Sequence, residues 1–328
     1  MTTFKEIRGT AIESVSTDPT NPEVGQIWYN NTIGVLKGYQ NIAGTWASGG
    51  NLSTARGGMY TAGTQTANLV SGGAPLFGGV GTDQTELYDG SSWTTSGAYP
   101  ASNAAGGGCG TQTAALGFAG GPNGNVPVIT TSAEFNGSTW TAGNPVNTAR
   151  RFLAGSFGIQ TAAIGVGGFS PNSSAVESYD GTTWTSLTSL PANRGDGGAA
   201  GIQTAAILFG DRAASPIGSV LLYNGTSFSS ATNMNTARRA QAGSGTQTSA
   251  VQFGGNNGTT AVANTEEWNG TSWFNSGNMA TARQNIGGSP AGTQSVALAA
   301  GGLTLPATSN ATEEYTGIGL ATKKITTS

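Results

Sequence analysis

Apolar residues in this chain come in short runs, alternate with small or polar ones, and are interrupted every few positions by glycine, Asn-Gly or Asp-Gly. No useful length of sequence carries the apolar recurrence of roughly 3.6 residues that marks an amphipathic helix. The pattern predicts an all-β chain with helix nearly absent. Residues 150–190 show the unit. RFLAGSFG (151–158), TAAIGVGG (161–168), SAVESYD (174–180) and TTWTSL (182–187) read as four strands. Asp180-Gly181 supplies a hairpin turn, because Asp-Gly accepts the positive φ such turns need.

This unit repeats. A Gly-Thr/Ile-Gln-Thr/Ser tetrad starts at Gly63, Gly110, Gly158, Gly201, Gly245 and Gly292, in steps of 43 to 48 residues. A second motif, aromatic-Asp/Asn-Gly-x-x-Trp, keeps the same phase. It ends at Trp93, Trp140, Trp184, Phe228 and Trp273, and a degenerate sixth copy, YTGIGL, ends at Leu320. Four strands in roughly 40–50 residues is the blade period of a β-propeller. First-strand segments such as AAGGGCG and GDGGAAG hold little besides glycine, alanine and serine. Small residues are what the crowded axis of a propeller requires. The recurring aromatics are expected further out, in the wider wedges between blades.

A strand ending Gly-Gly, then Glu-x-Tyr-Asp/Asn, then Trp, then Arg ahead of the next strand, resembles the kelch repeat over residues 46 to 320. The Gly pairs are 72–73, 120–121, 167–168, 254–255 and 301–302, with Gly210-Asp211 in the fourth repeat. The glutamate column holds Glu86, Glu177, Glu266 and Glu313, with Ala133 and Leu221 in the other two repeats. The resemblance implies a six-bladed kelch-like β-propeller with four-stranded blades over residues 45–328. Trp46 lies ahead of the first repeat while the last repeat lacks a tryptophan. The strand around Trp46 is therefore expected to complete the last blade. LATKKIT (320–326) is the alternative outer strand.

Ahead of the repeats, residues 1–24 read as an extended arm. Residues 25–44 read as a β-hairpin turning at Asn30-Asn31-Thr32-Ile33-Gly34. Asp18, Pro22, Gly25-Gln26-Ile27-Trp28-Tyr29-Asn30 and Leu36-Lys37 together resemble an N-terminal segment of tailed-phage virion proteins. That resemblance implies a virion structural protein, made in the host cytoplasm and attached to other virion proteins through this segment. As a tail-fibre, capsid-fibre or knob-like component it would display the propeller, with host-surface glycan as a further partner. A purely structural decoration or connector protein and a polysaccharide-degrading enzyme are the competing readings.

Composition narrows the chemistry. The chain has 328 residues, 54 of them glycine, 29 charged side chains and a formal net charge of −3. That charge offers no footprint for nucleic acid, and no apolar run is long enough for membrane insertion. MTTFKEIRGTAIE lacks the apolar core of a signal peptide, so the usual secretory route is not expected. Cys109 is alone, which rules out an intrachain disulfide. There is no histidine, hence no Ser-His-Asp triad and no histidine-ligated metal. No cofactor or metal site is expected, and no catalysis. Asp83, Asp196, Asp211 and the glutamates are the only carboxylates left for glycoside cleavage. Asp89 and Asp180 occupy hairpin turns where Asn136, Asn224 and Asn269 replace them, so they are structural.

The candidate binding face follows from strand alternation. One face carries the near-identical tetrad and Asp/Asn-Gly turns. The other carries loops that differ in every repeat, such as PNGNVPVITTS and NNGTTAVAN. A scaffold repeats, whereas a recognition surface has reason to diversify. The same face carries Arg56, Arg150, Arg194, Arg238 and Arg283 at the first-strand entrances, with Asn103 in the second repeat. These five are either a ring at the channel mouth for an anion or sugar, or internal partners of carbonyls and glutamates. Arg151 and Arg239 follow directly and are expected to point outward, and Asp196 is the local exception.

Overall fold

The computed structural model describes residues 12–20, 25–75, 79–122, 127–212 and 216–325. Among these there is no helix, and the strands form seven sheets. The chain divides into two compact units: residues 45–317, and residues 1–44 together with 318–328.

The larger unit is propeller-like. It contains five four-stranded antiparallel sheets in strict chain order, spanning 60–96 (sheet I), 107–143 (II), 155–186 (III), 198–231 (IV) and 242–275 (V). Sheet VI has three strands. Val296–Ala300 and Thr312–Thr316 are joined by Thr45–Ser48 from the other end of the repeat region. Sheet VI thus departs from the expected four strands. Its inner segment makes isolated bridges only, Gly287 to Ala300 and Thr293 to Val296. Pro290 lies between them and has no N–H to give a ladder.

The third and fourth strands of every sheet carry a directly paired aromatic couple, with ring centroids 4.6–5.4 Å apart. In sheets I to V the partners are neighbours in sequence: Tyr88–Trp93, Phe135–Trp140, Tyr179–Trp184, Tyr223–Phe228 and Trp268–Trp273. In sheet VI they are Tyr315 and Trp46. Trp46 therefore does in sheet VI what a tryptophan four residues past the Asp/Asn turn does elsewhere. The alternative outer strand goes elsewhere: Gly319–Lys324 pairs with Val35–Ile42 in the smaller unit. The boundary of the repeat unit is accordingly 317 rather than 328. YTGIGL is no sixth hairpin, because the chain leaves the sheet after Thr316.

At the axis, the first strands of sheets I to V lie successively against one another. Ala291 N–H of the sheet VI segment donates to Gly63 O of sheet I at 3.0 Å. The glycine-rich composition is a steric requirement here. A Cβ on Gly108 would sit 2.5 Å from the Thr61 backbone nitrogen.

The smaller unit is a four-stranded sheet rather than an arm and a lone hairpin. Ile27–Asn30 and Val35–Ile42 form the expected hairpin. Glu13–Val15, inside the segment read as an extended arm, pairs parallel to Ile27–Asn30, and Gly319–Lys324 adds the opposite edge. The remainder of that arm, residues 1–11 and 21–24, lies outside the described residues. Asp18 organises the rest. Its carboxylate accepts hydrogen bonds from Trp28 Nε1 (3.0 Å), Asn30 Nδ2 (2.9 Å) and Lys37 Nζ (2.5 Å). These donors, led by Lys37, hold its pKa at about 2. Four of the residues that carry the N-terminal resemblance therefore converge on one node.

Two outcomes follow. Trp46→Ala should destabilise the repeat unit by roughly 2–3 kcal/mol, below a fully buried tryptophan because Trp46 is half-buried. The midpoint of urea unfolding would report it. For Asp18 the folded pKa lies below the unfolded value, so its stabilisation is present above about pH 4 and is lost as pH falls toward about 2. The Trp28 indole N–H resonance should titrate in that acid range in the wild type and not in Asp18→Asn.

Candidate binding face

The five arginines are interior. Arg56, Arg150, Arg238 and Arg283 have no exposed surface and Arg194 has 6 %. Each pairs with a carboxylate of its own sheet. Arg56 meets Glu86 at 2.6 Å, Arg238 meets Glu266 at 2.7 Å, Arg283 meets Glu313 at 2.7 Å, and Arg150 meets Glu177. The same glutamates accept backbone N–H groups from the segment leading into the arginine, at Ser53, Asn147, Thr148, Asn235, Thr236 and Ala280. Arg283 also donates to Gly301 O and Ala311 O. Each pair staples the link between sheets onto the third strand. Burial pulls Arg238 down to about 10, which leaves it charged at neutral pH.

The two irregular repeats become intelligible in space. Sheet IV has Leu221 in the glutamate column and Asp211 in place of the second glycine. Asp211 takes over the carboxylate role: it lies 3.4 Å from Arg194 and accepts the Gly195 N–H at 2.8 Å. Sheet II lacks both partners. Asn103 is fully buried and donates to Ala119 O at 3.0 Å and to the Tyr60 hydroxyl, while Ala133 packs with Tyr60 and Tyr99. Arginine and carboxylate are thus either both present or both absent. A single buried charge would be costly, and the pattern avoids it.

The glutamine of every tetrad bridges sheets, a role that the repeat pattern alone did not reveal. Gln112, Gln160, Gln203, Gln247 and Gln294 each donate Nε2 to two carbonyls of the preceding sheet, one on its second strand and one on its third. Gln65 of sheet I does the same to Ala297 and Tyr315 of sheet VI. The Asp/Asn turns are purely structural: Asp89, Asn136, Asp180, Asn224 and Asn269 accept N–H groups two and three residues ahead through Oδ1. Asparagine and aspartate share that oxygen, which is why they interchange.

What remains for recognition is at the channel entrance. First strands line an axial cavity of about 140 Å³ whose wall includes Phe152, Asp196 and Gln241. Asp196 is buried, and burial raises its pKa to about 6 against the opposing pull of Arg212 and Arg239. Its carboxylate is 3.7 Å from Arg212, whose guanidinium lies 3.9 Å over the Phe169 ring. Arg151 is buried, 5.2 Å from the Phe152 ring centre, rather than directed outward. Arg212 and Arg239 are half-buried. Parts of the variable loops, at 76–78, 123–126 and 213–215, lie outside the described residues. Among the described residues, no group of three or more Cys, Asp or Glu side chains is placed to hold a metal ion, and no helix is long and apolar enough to cross a membrane. In comparisons with known proteins, no family model matches the chain, and no curated protein matches it.

Glu177→Ala should destabilise the repeat unit by about 3–5 kcal/mol, because it leaves the Arg150 charge buried and unpaired. The double variant R150M/E177L should recover most of that loss, since sheet II already dispenses with both partners. Gln160→Ala removes the donor for Ala115 O and Phe135 O and should cost about 1–3 kcal/mol. Unfolding midpoints in urea for the three variants check all of these.

Proposed function

We propose that this chain is a non-enzymatic phage virion protein, a tail-fibre, capsid-fibre or knob-like component. In this reading its six repeat sheets are the blades of a closed kelch-type propeller displayed for binding. The small unit attaches it to other virion proteins. The observation that carries the display reading is the division of labour between conserved-in-register and variable positions. The arginines, glutamates, glutamines and turn Asp/Asn residues that recur in phase are consumed by internal bonds. Side chains left for a partner are those that differ between repeats, around the channel entrance and in the second-to-third-strand loops. The kelch assignment is supported by the arginine–glutamate pairs next to the Gly-Gly strand ends. The virion assignment is supported by the Asp18 node, which gives the N-terminal motif a reason to exist as a unit.

A connector role is the second reading. Ile159 and Ile202, at the tetrad turns of adjacent sheets III and IV, are 52 % and 57 % exposed where the other tetrads carry threonine. Exposed isoleucines at neighbouring positions suit a protein partner on the turn face.

Incorporation tests the proposal. A chain beginning at Thr45 should keep a cooperative unfolding transition and yet be missing from purified particles, as read by gel and electron microscopy. Normal incorporation of that shortened chain would defeat the attachment role.

A further inference from the structure

The five structural arginines leave a second set to be explained. Arg151 and Arg239 each follow a structural arginine at a first-strand entrance, and Arg212 ends the second strand of sheet IV. Backbone bonds bring the three segments side by side: Phe169 N–H donates to Arg151 O, Arg212 N–H to Gly195 O, and Ala240 N–H to Asp196 O, while Arg212 lies over the Phe169 ring. Burial, and after it the charge of Arg212, loosens the hold of Arg151 on its proton; burial, and after it the charge of Arg239, does the same to Arg212. Gathering like charges where solvent is partly excluded is unfavourable for the free protein. Among the described residues Asp196 is the carboxylate that meets Arg212, while Asp211 is engaged by Arg194 and the Gly195 N–H. Arg212 and Arg239 thus outnumber Asp196, in a chain whose formal net charge is −3.

We infer that Arg212 and Arg239, with Arg151 and Asp196, form a receptor for the carboxylate of an acidic sugar at the channel entrance. The guanidinium fork matches a carboxylate through paired N–H donors. Stacking on Phe169 fixes the plane of Arg212 in advance, which lowers the ordering cost of binding. The adjoining cavity, at about 140 Å³, is well below the roughly 300 Å³ at which pockets begin to enclose a whole drug-sized ligand. It accepts a single substituent, so the remainder of a glycan chain would lie outside it. Asp196 makes the site sensitive to acid. The charged groups acting on it are Arg212, Arg239 and Asp211. When its carboxyl takes up a proton near pH 6 the counter-charge disappears, while a sugar carboxylate remains ionised, so binding strengthens as pH falls. The inference rests on the display reading and names its ligand class.

The test is calorimetric titration of the full-length protein with oligogalacturonate, with the neutral galactose oligomer of equal length as control. The acidic oligomer should bind and the neutral one should not. The double variant R212A/R239A should weaken binding by about tenfold or more while keeping a cooperative unfolding transition. R212Q/R239Q gives the same readout if the alanine variant folds poorly. Affinity should rise between about pH 7.5 and about pH 5, and Asp196→Asn should bind more tightly at neutral pH and lose that dependence. Equal binding of both oligomers, no binding of either, or full affinity in both double variants would overturn the inference. Because the assay uses purified protein, its failure leaves attachment through the small unit to be judged separately, by particle incorporation.

Discussion

A cycle of sheets has to satisfy the backbone at its own centre, where first strands converge and side chains have no room. Here the third residue of each first-strand entrance adopts a left-handed φ between 48° and 69°: Gly58, Ala105, Phe152, Asp196, Ala240 and Asn285. Each N–H donates to the carbonyl of its counterpart in the preceding repeat, at 2.7–2.9 Å, and Gly58 donates to Asn285. The six bonds form a closed cycle. Five of the six residues are not glycine, and left-handed φ costs such residues on the order of 1 kcal/mol each. The hydrogen bond at each position offsets that cost, because a buried N–H without a partner would cost as much or more. A repeat removed or added would leave this cycle with the wrong geometry, so repeat number and central conformation depend on each other.

A second circuit runs outside the first. The glutamines tie each sheet to the second and third strands of its predecessor, with bonds of 2.5–3.4 Å, and Gln65 completes the circuit from sheet I to sheet VI. Three outer tryptophans make a similar link at larger radius, whereas the indole N–H groups of Trp184 and Trp273 are buried without a partner among the described residues. Trp93, Trp140 and Trp46 donate to the hydroxyls of Thr312, Thr85 and Thr265 in the preceding sheet. Where that neighbour position is Val176, the outer residue is Phe228, which has no N–H to satisfy, and the two pack in one apolar cluster. The arginine–carboxylate pairs act within each sheet instead, fixing the incoming link. The arginines therefore set local geometry, while neutral donors, including the Tyr88, Tyr179 and Tyr315 hydroxyls that bond Glu314, Glu134 and Glu267, join the sheets. That arrangement avoids long-range dependence on buried ion pairs, whose net contribution is small even when their loss is damaging.

This economy leaves one region without a structural account of its own, the charged cluster at the channel entrance. Asp196 belongs to both worlds. Its backbone is a member of the central cycle, and its side chain meets Arg212. A ligand that drew on Arg212 and Arg239 would act next to this cycle, since Arg239 precedes Ala240 and the Arg212 N–H donates to Gly195 O beside Asp196. Such preorganisation favours recognition of a small anionic group over a flexible surface contact.

The sequence by itself determined the strand pattern, the six-fold period, the small-residue axis, the aromatic outer layer and the need for Trp46 in the last sheet. These follow from short-range chemistry: turn propensity, alternation, and a tryptophan missing from one repeat and spare before another. It also set out both fates for the arginines. Tertiary structure decided between them, by placing each glutamate 27 to 30 positions away against its arginine. Only in space does Asp211 replace the absent glutamate of sheet IV, since the two positions lie on different strands. Only in space do the tetrad glutamines have targets, because those carbonyls belong to another repeat and carry no side-chain signature. The choice between the two candidate outer strands of the last sheet was likewise spatial. LATKKIT has the composition of an edge strand, and composition does not say which edge: the last sheet already had its outer strand in Trp46, and the open edge lay beside Val35–Ile42.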